Sequence, residues 1–224
     1  MEKINLFTDF VTVSENEKLA VKLYPYCKQL IKKCDYDKEY ENGLTTYGQN
    51  DKYLRNFKLW DPVFDELYDW ILKQAEEYKL IAGFNHKHEL KPSIRSLWVS
   101  EQVEMGFHEM HQHLGHKDHI SGTFYIHAPV GASNLVFKRP DFDYDSWKEI
   151  PKSSKYGEYN ALRYEFVPVR GHNLMWKSTT HHGTRVNKCN SRIAISYNIE
   201  LIDAHEWPDA GMKDMSVDEE HGNR

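Results

Sequence analysis

The chain is poor in cysteine and has no long apolar run, and each shortage excludes something. Three cysteines occur in 224 residues, Cys27, Cys34 and Cys189, with no CxxC pair. They do not make a disulfide framework, so free thiols in a reducing cytoplasm are expected. No stretch of about 18 apolar residues exists, which excludes a transmembrane helix. The opening residues, Met1 to Phe7, lack the basic start and apolar stretch of a secretory signal, which fits a cytoplasmic location. Positive charge is also in deficit: 29 Lys and Arg face 34 Asp and Glu, a net charge of -5. With no basic stripe carrying interleaved aromatics, no nucleic-acid partner and no membrane association are expected. There is no internal repeat.

What is present suffices for one sizeable core. Hydrophobic residues make up 40% of the chain, with 14 tyrosines, 10 phenylalanines and 6 tryptophans. A single domain over residues 1–202 is expected, followed by an acidic, weakly apolar and flexible tail over 203–224.

Helix signals come first along the chain. Residues 14–34 read as a helix, with Ser14 and Glu17 as a capping box and Leu19, Leu23, Tyr26 and Leu30 at helical spacing. Pro25 within it predicts a kink or a shorter helix. Residues 41–56 are polar and read as loop. A second helix starts at Asp61-Pro62, N-cap and first turn, with Phe64, Leu67, Ile71 and Tyr78 as its buried face. After Lys91-Pro92 the period changes to two, and strands are expected at 93–103, 121–127, 134–138, 163–169, 173–177 and 191–201. Helices followed by strands indicate α+β, with a sandwich or barrel core. The polar connection 139–160 has the length of a lid or binding loop.

Histidine is where the chemistry gathers. His108, His111, His113, His116 and His119 fall within twelve residues, although the chain has only 13 histidines, and the pair His181 and His182 follows much later. Imidazole is the commonest protein ligand for transition metals. Side chains two apart at a strand end share a face, so His111 and His113 can ligate together and His182 can add a third nitrogen. His181 points to the opposite face, so one of the two serves, with His182 preferred. A non-haem iron site asks for two imidazoles and a carboxylate with open positions opposite. His116-Lys-Asp118 is the alternative pair of that kind, and Glu109 is a more distant carboxylate. His108, His116 and His119 otherwise read as exposed or as partners that orient the ligands.

The last strand adds a cation. In Arg192-Ile-Ala-Ile-Ser-Tyr-Asn198 the odd positions, Ile193, Ile195, Tyr197, Ile199 and Leu201, are uniformly apolar. The even positions, Arg192, Ala194, Ser196 and Asn198, present a guanidinium and hydrogen-bonding groups on the other face. A buried arginine needs an anion. A dicarboxylate could supply it, with one end on Arg192 and the other on the metal; pairing with Glu165 or Glu200 is the simpler alternative. Trp98 and Trp176 read as core.

The stretch resembles the Fe(II)/2-oxoglutarate-dependent oxygenases, and among them a phage and bacterial subfamily of small double-stranded β-helix proteins. The residues that carry the resemblance are Trp98, Gly106, His108-Glu-Met-His111-Gln-His113, Ser121-Gly-Thr-Phe-Tyr125, His182-Gly-Thr-Arg-Val-Asn187 and Arg192-Ile-Ala-Ile-Ser-Tyr-Asn198. It spans about residues 94–201. It implies a jelly-roll or cupin-like barrel with the N-terminal helices packed on one sheet. It also implies His111, His113 and His182 as metal ligands, and Arg192, helped by Tyr125, on the distal carboxylate of 2-oxoglutarate. Ser196 and Asn198 are further candidates toward the cosubstrate. His113 stands where most members of the wider superfamily carry Asp.

The function so implied is a dioxygenase using Fe(II), 2-oxoglutarate and O2 to hydroxylate an unactivated C–H bond. Its prime substrate would be a protein side chain such as proline, an amino acid or a small metabolite. Two other classes remain open: a cupin-like three-histidine metalloenzyme that uses no keto acid, and a metal-binding jelly roll without catalysis.

Overall fold

The computed structural model describes residues 9–32, 36–37, 43–46, 62–84, 90–113, 117–139, 161 and 163–203. Expectations for Asp61, His116, the connection 140–160 and the tail from 204 onward fall outside these residues.

Among the described residues two helices form where amphipathic spacing predicts them. Helix α1 spans Glu17–Ile31 and buries Leu19, Ala20, Leu23, Cys27 and Ile31. Its cap is Asn16, whose side-chain oxygen accepts from the N–H of Leu19 at 3.1 Å. The capping box expected at Ser14 is therefore corrected. Ser14 lies in strand β1, Val11–Glu15, where its backbone pairs with Asn173 and is not available to a helix. Pro25 lies inside α1 on its exposed face and does not end the helix, which runs on to Ile31. Helix α2 spans Pro62–Ile81 and buries Phe64, Leu67, Ile71, Ala75 and Tyr78. Gly83 ends it with φ of +71°, a left-handed turn that glycine adopts without steric cost.

Ten strands are present among the described residues: β1, β2 (Tyr36–Asp37), β3 (Gly43–Thr45), β4 (Leu90–Gln102), β5 (Ile120–His127), β6 (Leu135–Lys138), β7 (Arg163–Phe166), β8 (His172–Lys177), β9 (His182–Thr184) and β10 (Arg192–Asp203). Part of the segment expected as loop at 41–56 is thus strand, and β7 stops before Pro168, which has no N–H to give a ladder. The strands form an antiparallel seven-stranded sheet in the order β1-β8-β5-β10-β4-β3-β2 and a three-stranded sheet in the order β7-β6-β9. The architecture is the double-stranded β-helix expected from the sequence, with both helices on one face of the larger sheet.

Strand parity divides the interior into two layers. Ile193, Ile195, Tyr197, Ile199 and Leu201 of β10 pack with Leu97 and Val99 of β4 and Phe124 of β5 against α1 and α2. Burying each such aliphatic side chain contributes about 1.5–3 kcal/mol. The opposite parity of the same strands faces the smaller sheet. There Tyr125, Leu174, Trp176 and Ala194 meet Leu135 and Phe137. No helix among the described residues is long and apolar enough to cross a membrane.

Candidate metal centre

Between the two sheets, at the end where β9 meets the segment after β4, lies a cavity. It is lined by His108, His111, His113, Trp176, His182 and Arg192, with Gln102, Ser196 and Asn198 among the others. No carboxylate lines it among the described residues. The backbone brings the histidines together: His111 donates its N–H to the carbonyl of His182 at 2.9 Å and accepts from the N–H of His182 at 2.8 Å. His113 is fixed by its own N–H, which reaches the carbonyl of Ser178 at 2.9 Å.

Gly183 makes that approach possible. A Cβ there would stand 2.8 Å from the carbonyl oxygen of His108 and 2.9 Å from that of Glu109, both main-chain atoms that cannot swing away. Gly183→Ala is therefore expected to push β9 off the histidine segment. It should destabilise the fold by roughly 1–3 kcal/mol, as overpacking does, and weaken metal binding as well. Thermal melts with and without metal measure both effects.

Candidate ligand atoms of His111, His113 and His182 lie within 4.8 Å of one another. Their outer nitrogens are already committed. His111 Nδ1 is 2.8 Å from the Glu109 carbonyl, His182 Nδ1 is 2.8 Å from the Thr180 carbonyl, and His113 Nδ1 is 2.9 Å from Asn198 Oδ1. A carbonyl oxygen only accepts, so each Nδ1 carries the proton and each Nε2 keeps its lone pair. Three neutral imidazoles with open Nε2 atoms are a donor set suited to a divalent transition metal. Of the other candidates, Asp118 is ion-paired with Arg95 at 3.6 Å and His119 Nδ1 accepts the N–H of Leu201 at 3.0 Å. Glu109 is exposed and His181 half-buried, and neither joins the group. His108 flanks it, its ring 4.2 Å from that of His111.

Burial holds these rings neutral. It lowers the pKa values of His111, His113 and His182, helped by the neighbouring imidazoles, and takes His108 down to about 3. Below pH 6.5 the unfolded chain takes up protons that the folded chain refuses, so stability present above that pH is lost as pH falls. The metal-free protein should thus melt at a lower temperature at pH 5 than at pH 7.5. A bound metal should widen the difference, because its hold on neutral imidazoles weakens as they protonate, which thermal melts across pH will show.

Arg192 lies on the same side of β10, 4% exposed. Its Nη1 donates to Gln102 Oε1 at 3.2 Å and its guanidinium stands 4.9 Å from the centroid of the Tyr125 ring. Both partners are uncharged. Glu165 pairs with Arg185 and Glu200 with Lys117, so neither neutralises Arg192. Among the described residues, Arg192 Nε, the Tyr125 hydroxyl and Trp176 Nε1 are buried without hydrogen-bond partners. A buried cation beside unpartnered donors calls for an anionic ligand. Ser196 Oγ is 3.3 Å from Thr123 Oγ1, while Asn198 faces His113.

Gln102 escaped the sequence reading, although its parity with Trp98 on β4 puts it on the cavity side. Its Oε1 accepts from Ser133 Oγ at 2.6 Å and its Nε2 donates to Thr184 Oγ1 at 2.9 Å, which fixes the amide that steers Arg192.

Residues 96–198 match the model of a family described as putative 2OG-Fe(II) oxygenase. That span, slightly under half of the chain, is similar to that family, in line with the resemblance its residues carry. Among solved structures it is similar to a Pseudomonas putida prolyl-4-hydroxylase, with TM-score 0.55 and 11% identity over 86% of this chain and 93% of that one. It is also similar to SnoN, a non-heme alpha ketoglutarate dependent epimerase from nogalamycin biosynthesis, with TM-score 0.56 and 11% identity over 86% of this chain and 76% of that one. At such identity the likeness is one of fold. An oxidoreductase of the 2OG-Fe(II) oxygenase family from Burkholderia pseudomallei is matched over about half its length, 48%, and 52% of this chain, at 13% identity and TM-score 0.39. No curated protein matches the chain in sequence.

Proposed function

We propose that the protein is an Fe(II)- and 2-oxoglutarate-dependent dioxygenase. In this reading His111, His113 and His182 hold the iron through Nε2, and Arg192 with the Tyr125 hydroxyl holds the distal carboxylate of 2-oxoglutarate. Bound iron and keto acid would supply the activation of O2 that hydroxylating an unactivated C–H bond requires. The chain's own residues do the rest. Arg192 orients the cosubstrate, Gln102 orients Arg192, and Trp176 and Leu135 help keep water out of the cavity. The observation that carries the proposal is the buried Arg192, which has no carboxylate partner among the described residues and shares its cavity with three convergent imidazoles.

The prime substrate in this reading is a protein side chain such as proline, an amino acid or a small metabolite. A prolyl-4-hydroxylase and an epimerase among the structural neighbours make both a peptide and a small molecule reasonable first candidates. Incubating the protein with Fe(II), ascorbate and 2-oxoglutarate is expected to convert the keto acid to succinate. Unchanged 2-oxoglutarate, with iron bound, would favour the second reading, a three-histidine metalloenzyme that uses no keto acid. That reading has the all-nitrogen donor set in its favour, yet it gives Arg192 no task.

A further inference from the structure

We infer that Asn198 is a positioning residue for the metal centre, whose carboxamide oxygen keeps the proton of His113 on Nδ1 and so leaves Nε2 open as a ligand. The inference rests on the metal site proposed above. His111 and His182 each take an acceptor from the carbonyl two residues earlier in the chain, Glu109 and Thr180 respectively. The corresponding carbonyl for His113 belongs to His111, and it already accepts the N–H of His182 at 2.8 Å. His113 Nδ1 instead finds its acceptor on β10, Asn198 Oδ1 at 2.9 Å.

The surrounding hydrogen bonds have one consistent direction. Ser121 pairs with Asn198 across the sheet, and its Oγ lies 2.8 Å from Asn198 Oδ1 and 2.8 Å from Ser178 Oγ. An amide oxygen cannot donate, so the hydroxyl of Ser121 donates to Asn198, and its Oγ, 3.3 Å from His113 Nδ1, is a second, longer acceptor for the proton on that nitrogen. Oδ1 thus accepts from both Ser121 and His113. Had the amide presented its nitrogen instead, His113 Nδ1 would have to accept, and the ring proton would move to Nε2 and close the ligand position. All three outer acceptors are uncharged oxygens, so the ligand set stays electrically neutral. Asn198 is itself 6% exposed, a buried amide whose oxygen is satisfied by these two contacts.

Titration with Co(II), followed by its visible ligand-field bands, tests the inference without relying on turnover. Wild-type protein is expected to bind Co(II), and Asn198→Leu to bind it about 10–100-fold more weakly with altered bands. Asn198→Asp, which keeps an acceptor oxygen, should return the affinity to within a fewfold of wild type. A merely structural role would lower the melting temperature of both variants without that rescue. Asn198→Leu with wild-type affinity and spectrum would overturn the inference. Wild-type protein that binds no Co(II) would instead overturn the metal site itself. Should the leucine variant not fold, ring-nitrogen NMR of the metal-free wild type decides: a proton on His113 Nδ1 supports the inference, and one on Nε2 overturns it.

Discussion

Arg192→Met is expected to raise the melting temperature of the metal-free protein while abolishing its stabilisation by 2-oxoglutarate. Arg192 is 4% exposed and, among the described residues, meets Gln102 and the Tyr125 ring with no carboxylate paired to it, so without ligand its charge is uncompensated. Taking such an ion out of water costs several kcal/mol, and an uncharged side chain of similar length avoids that cost. In exchange the variant loses its hold on the cosubstrate. Each charge-assisted hydrogen bond is worth about 1.5–3 kcal/mol, and losing two weakens binding by roughly a hundredfold to ten-thousandfold. A ligand that binds only the folded state raises the melting temperature in proportion to ln(1 + [L]/Kd), so Mn(II)-loaded wild type should shift with 2-oxoglutarate and the variant should not. A variant that is less stable than wild type yet shifts normally would mean that Arg192 is a structural cation.

The second large effect belongs to the ligand set. His182→Ala is expected to reduce Fe(II) or Co(II) affinity by more than the 10–100-fold typical of losing an outer partner. Asp118→Ala should leave it unchanged, because that carboxylate is turned to Arg95. His108→Ala should stay within about tenfold, since its ring stands beside His111 and outside the convergent group. Binding that survives in His182→Ala and disappears in Asp118→Ala would transfer the site to the His116 and Asp118 pair. The contrast among the three variants distinguishes a ligand from a neighbour, which proximity alone does not.

Much of the scaffold is legible in the sequence because two periodicities run through it with little interference. Phe64, Leu67, Ile71 and Tyr78 mark the buried stripe of α2, and the alternation from Arg192 to Leu201 separates cavity from core in a single strand. The histidines and Arg192 stand out because they are costly to bury and concentrated in two short stretches. What the sequence conceals are features that depend on partners far along the chain. Strand β9 has three residues and no period of its own; it is strand because β6 and the His111 segment pair with it. Ser14 and Glu17 fit a capping pattern, but the edge of the sheet claims Ser14 and leaves the cap to Asn16. Gln102 is an ordinary polar residue on β4 until Arg192, 90 positions away, folds against it. Asn198 likewise carries no local sign that His113, 85 positions earlier, needs its oxygen.

In the proposed site one chelating dicarboxylate spans the three imidazoles and the guanidinium. Titrating anaerobic, Fe(II)-loaded protein with 2-oxoglutarate addresses it directly, because the keto acid produces a weak visible charge-transfer band only when it chelates the iron. A saturable band in wild type that is lost in Arg192→Met is the predicted result. Iron-loaded protein that shows no band at saturating 2-oxoglutarate would contradict the account.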